Sequence, residues 1–154
     1  MTPITQKENI KIIGIAVRTT NKKQKAAKDI PALWGSFTSK NIAEQIPNKV
    51  NHNIYGIYTE YEGDYTQPYT AIIGCEVTSL DNIPEGMISV ELKAGSYSKF
   101  EAIGLLEDGI VYKKWEDIWK TPLSRAYTAD YEVYDFSQNK NEDFTVPIYI
   151  AIKD

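Results

Sequence analysis

The chain has 154 residues, 42% of them hydrophobic, which suffices for one domain with one sizeable core. Its 17 basic and 21 acidic residues leave a formal charge of -4, so no basic surface stands ready to collect phosphates and direct nucleic-acid binding is not expected. One cysteine, Cys75, and one histidine, His52, cannot build a disulfide framework or a Cys/His metal centre, and no cofactor is expected.

Residues 9–18, rich in isoleucine and valine, are predicted as the first strand. The apolar run in it, Ile12 to Val17, is too short for a signal-peptide core or a membrane span, so a cytoplasmic protein without a membrane partner is expected. Lys22, Lys23, Lys25 and Lys28 follow in a polar stretch that reads as solvated. Asp29 then stands as an N-cap with Pro31 in the first turn. Ile30, Leu33, Trp34, Phe37 and Ile42 fall close to one face, which predicts a helix over about residues 30–46. Strands are predicted at about 53–61 and 69–78, separated by Glu62-Gly63-Asp64 and closed by Asp81-Asn82 and the Pro84 to Gly86 turn. Cys75, within the second of these, reads as a small buried hydrophobe.

The second half repeats that order. Strand-like residues 87–103 surround a break at Gly95, and Asp108-Gly109 opens a helix running to about Lys120. Val111, Trp115, Ile118 and Trp119, spaced i, i+4, i+7 and i+8, share one buried face, and Pro122 prevents continuation. Final strands are predicted at about 129–136 and 145–152. The order predicts an α+β fold in one domain, residues 1–154: a duplicated β-α-β-β unit, a largely antiparallel twisted sheet and two main helices.

Side-chain alternation along the strand after the second helix groups Glu132 with Tyr134 and Phe136, opposite Tyr131, Val133 and Asp135. Two readings follow. If that face is interior, an ionised carboxylate there needs a cation, hydrogen-bond donors or a proton; otherwise Glu132 is an exposed strand residue. Tyrosine outnumbers phenylalanine eleven to four and concentrates in the strands. That mixture suits a concave site for flat organic molecules, and it equally suits half-buried strand surfaces. Trp115 and Trp119, one helical turn apart, read first as core packing. No paired acid and base, phosphate loop or nucleophile elbow is present.

The segments Tyr55-Gly56-Ile57-Tyr58, Gly95-Ser96-Tyr97-Ser98-Lys99-Phe100 with Gly104, Trp115-Glu116-Asp117-Ile118-Trp119, Tyr131-Glu132-Val133-Tyr134 and Ile148-Tyr149-Ile150-Ala151-Ile152-Lys153 together resemble the GyrI-like family. That family supplies effector-binding modules to AraC- and MerR-type regulators and also occurs as standalone proteins. The resemblance spans nearly the whole chain and implies a central pocket between the halves, with a pocket glutamate facing bound cations among aromatic rings. Glu132 occupies that motif position; Tyr149, Tyr55, Tyr58, Tyr134 and Trp119 are implied as further ligand-binding residues. After the second helix relatives carry tryptophan and leucine before proline, whereas this chain reads Trp119-Lys120-Thr121-Pro122. The first strand starts within the opening residues, so no helix-turn-helix is expected ahead of it. The resemblance implies a sensor or sequesterer of a small, partly apolar, cationic molecule, multidrug-binding and tied to transcription regulation. It implies two alternatives: a hydrolase opening cyclopropane-type toxins with Glu132 assisting water attack, and a protein-interaction module such as a gyrase inhibitor.

Overall fold

The computed structural model describes residues 4–138 and 143–153. The first half holds β1 (Ile4–Lys7), β2 (Ile10–Thr19), α1 (Ala26–Ser39), a short α2 (Ile42–Gln45), β3 (Ile54–Thr59) and β4 (Tyr69–Val77). The second holds β5 (Ile88–Leu92), β6 (Gly95–Gly104), α3 (Ile110–Lys120), β7 (Ala129–Tyr134) and β8 (Phe144–Ala151). All eight strands join one antiparallel sheet, ordered β1-β6-β8-β7-β3-β4-β2-β5.

The duplication is visible in that order. Each half lays down the same triplet, β2-β4-β3 and β6-β8-β7, and the triplets meet where β3 pairs with β7 from Ile54↔Tyr134 to Thr59↔Ala129. The outermost strands are exchanged: β1 of the first half extends the second on β6, and β5 of the second extends the first on β2. Both faces of the sheet are apolar. One packs under the helices, with Leu33, Phe37, Ile73, Trp115, Ile118 and Ile148 in its core; the other buries Ile12, Tyr55, Ile57, Ile72, Tyr97 and Tyr131. Double coverage explains why β4 reads as a nearly continuous apolar run rather than an alternation. Cys75 lies in it as a buried free thiol.

The expected elements are present with three corrections. β1 was not predicted: its sequence, Ile-Thr-Gln-Lys, is too short and polar to signal a strand, and its pairing with Gly95 to Ser98 defines it. The first helix begins at Ala26 rather than at residue 30, because Asp29 pairs with Lys25 at 2.9 Å across one helical turn instead of capping. It also stops earlier, at Ser39, and Asn41 in the left-handed region (φ 51°) separates it from α2. The break expected at Gly95 within strand-like residues 87–103 separates two strands, β5 and β6, which sit near opposite ends of the sheet. Among the described residues no helix is long and apolar enough to cross a membrane.

Candidate functional site

Alternation on the two central strands decides which side chains meet under the helices. Gly56 of β3 pairs with Glu132 of β7, and Tyr58 pairs with Asp130, so these four and Tyr134 share one face, while Tyr55, Ile57, Tyr131 and Val133 share the other. Above the first face α1 and α3 stand apart over a cavity of about 650 Å³. Its walls are Ile30, Pro31 and Trp34 from α1, Val111, Trp115 and Trp119 from α3, and Tyr58, Tyr61 and Tyr69 from the sheet side, with Glu132 and Tyr134 on the sheet itself.

Glu132 is 1% exposed. Trp115 donates from Nε1 to its Oε2 at 2.7 Å, and the Tyr134 and Tyr58 hydroxyls donate to its Oε1 at 2.8 and 3.1 Å. Burial pushes its pKa above the ordinary carboxyl value, and those three donors pull the other way. Among the described residues no ion pair reaches it. A carboxylate offers about four acceptor positions, so the three neutral donors leave room for one more partner.

Space for this carboxylate depends on Gly56. A Cβ there would stand 2.8 Å from Glu132 Oε1 and 3.6 Å from a ring carbon of Tyr134. Gly56→Ala is therefore expected to push Oε1 off its two tyrosine donors, at a stability cost of about 1–3 kcal/mol, as for other overpacked core sites. Thermal denaturation checks this, and an unchanged midpoint would show that the carboxylate swings aside freely.

Aromatic edges complete the chamber. Trp34 meets Tyr134 edge-on at 5.0 Å, and Tyr58 meets Trp115 edge-on at 5.4 Å. Toward the outside, Tyr65 stacks on Trp119 at 5.6 Å with planes 12° apart, beside the exposed Tyr112. Asn21 fastens this rim, donating to the Tyr65 carbonyl at 2.9 Å and accepting from the Tyr69 hydroxyl at 2.7 Å.

A second charged cluster adjoins the wall. Arg125, 7% exposed, pairs with the fully buried Asp130 at 2.7 Å; the Tyr61 hydroxyl donates to the same carboxylate at 2.6 Å, and the Ala151 amide to its other oxygen at 2.9 Å. Its guanidinium lies 4.3 Å from the ring centre of Tyr127 and 6.0 Å from that of Trp115.

Of the residues singled out in the sequence, Glu132, Tyr58, Tyr134 and Trp119 come together around this cavity. Tyr55 and Tyr149 do not line it; they lie on the far face, where each packs against Tyr131, at 5.8 and 5.0 Å. The reason is register. Tyr55 is one residue from Gly56, and Tyr149 pairs with Tyr131 rather than with Glu132. Sequence reading missed Trp34, Gly56, Arg125 and Asp130 as parts of the site. Asp130 left a local signal, two residues before Glu132 on the same strand face.

The model of the family described as Cass2, integron-associated effector binding protein, matches residues 3–152. YobU of Bacillus subtilis strain 168, provisionally described as a transcriptional regulator protein, is 30% identical over 156 residues, spanning 97% of this chain and 96% of YobU. Among solved structures, the integron cassette protein VCH_CASS2 from the mobile metagenome of Vibrio cholerae superposes with a TM-score of 0.78 at 29% identity, over 99% of this chain and 95% of that one. SAV2435, solved bound to tetraphenylphosphonium, superposes with a TM-score of 0.80 over 99% of this chain and 94% of its own; at 15% identity that likeness is one of fold.

Proposed function

We propose, because the chain belongs to the Cass2 family of integron-associated effector binding proteins, that the small molecule it binds is a partly apolar organic cation held in the aromatic cavity. Glu132 is the charge partner. Carrying this reading is one observation: a buried carboxylate held by three neutral donors, with no ion pair to it among the described residues, at the wall of a cavity made of aromatic rings. Ring faces attract a delocalised cation, and a desolvated carboxylate opposite them supplies the net charge that neutral donors cannot. The tetraphenylphosphonium bound by SAV2435 has this chemistry. The regulator description of YobU supports a role as sensor or sequesterer of such molecules.

Tetraphenylphosphonium tests the reading because its own charge does not titrate. Calorimetric titrations across a pH series should show constant affinity at pH above the raised pKa of Glu132. Affinity then falls about tenfold per pH unit once the pH drops below the raised pKa of Glu132. The sign follows from the shift. A carboxyl whose folded pKa lies above its unfolded value holds more protons folded than unfolded in the interval between them. Ionising it costs stability as pH rises through that interval, and a bound cation offsets the cost. Absence of binding at neutral pH, or an affinity that ignores this titration, would overturn the assignment of Glu132.

A further inference from the structure

The cation reading leaves Arg125 unused. This side chain lines the cavity, is 6% exposed, and donates from Nη2 to Asp130 Oδ2. Asp130 has little left to offer it, since the Tyr61 hydroxyl takes the same oxygen and the Ala151 amide takes the other. A guanidinium carries five N–H donors in a rigid fork. Here Nε is buried without a partner, and among the described residues no other hydrogen bond leaves the group. An unmatched buried donor of this kind is costly unless an acceptor meets it. Trp115 stands between the two charged groups of the wall: its Nε1 donates to Glu132 while its ring lies 6.0 Å from the Arg125 guanidinium. The cavity thus carries a carboxylate and a donor-bearing cation one indole apart.

We propose that the cavity is selective for ampholytic molecules, in which an apolar cation held at Glu132 is joined to a carboxylate that accepts from Arg125. This rests on the cation reading and deepens it by naming the ligand's second group. A flat cation without an acceptor fills half of such a site. One with a carboxylate on a short arm gains a charge-assisted hydrogen bond in a low-dielectric wall.

The test compares (4-carboxybutyl)triphenylphosphonium with pentyltriphenylphosphonium, which share the cation and differ at the end of the arm. Wild-type protein is expected to bind the carboxylated salt at least about tenfold more tightly. Arg125→Lys keeps a cation for Asp130 but spends its compact ammonium there. It should abolish the preference, read as the ratio of the two salts' affinities for the same variant. A second readout needs no variant: in isotope-labelled protein the arginine Nε–H correlation assigned to Arg125 should move on adding the carboxylated salt and stay still with the pentyl salt. Equal affinities in the wild type, a preference that survives Arg125→Lys, or an unmoved Nε–H signal would overturn this inference while sparing the cation reading. Failure of both salts to bind would overturn the two together.

Discussion

Glu132→Gln is expected to weaken tetraphenylphosphonium binding about a hundredfold while changing the affinity for neutral triphenylphosphine oxide less than about threefold. The magnitude comes from charge alone. A phosphonium centre shielded by its phenyl groups approaches a carboxylate to roughly 6 Å, where two unit charges attract by about 2.8 kcal/mol at an effective dielectric of about 20. Glutamine has nearly the same volume and can preserve the local contacts. Its carbonyl accepts from Trp115 Nε1, and its amide faces the Tyr58 and Tyr134 hydroxyls, whose oxygens can turn to accept. Stability should hold or rise, because a buried ionised group is removed. Calorimetric titration with the two probes, with melting curves as a control, decides it. Equal losses for both probes would indicate a damaged cavity, and no loss would place the cation elsewhere.

The largest effect on stability is expected at Asp130→Ala. It leaves the Arg125 guanidinium, the Tyr61 hydroxyl and the Ala151 amide without their acceptor, all within protein. Removing one member of a buried pair typically costs about 3–5 kcal/mol, a large share of the stability of a domain this size. The double variant Arg125→Met with Asp130→Ala should recover much of that loss, since a buried ion pair and a packed apolar replacement differ far less. Urea denaturation of the wild type and the two variants measures both. A single-variant loss below about 1 kcal/mol would show that the guanidinium reaches water and is not committed to Asp130.

How far the site was legible in the sequence depends on the range of the contact involved. Glu132 with Tyr134 followed from alternation within one strand, and Trp115 with Ile118 from the spacing of one helix. Gly56 lay within a recognisable motif, but its purpose, clearing space for Glu132, depends on a register between residues 76 positions apart that no local pattern states. Tyr55 and Tyr149 were assigned to the pocket by motif and lie on the opposite face, since a one-residue difference in a strand reverses the side. Arg125 sits between helix and strand with no periodicity around it, and its pairing with Asp130 exists only in three dimensions. The fold was more accessible because Gly, Pro and Asp punctuate most of its connections, though the α1 boundary moved where Asp29 served an ion pair rather than a cap.

The exchanged outer strands bear on how the chain acquires its structure during synthesis. When the first half has left the ribosome, β3 has only β4 beside it and its other edge awaits β7, about 75 residues downstream. β1 has no neighbour at all until β6 is made. A nascent first half therefore presents the open edges of β2 and β3 and an unpaired β1, and β3 becomes the apolar centre of the sheet. Pairing across such sequence distances slows folding, and closure cannot precede the synthesis of β7. The late arrival of β7 also delivers Glu132, and the seam that joins the two triplets brings it into the aromatic cavity in the same event.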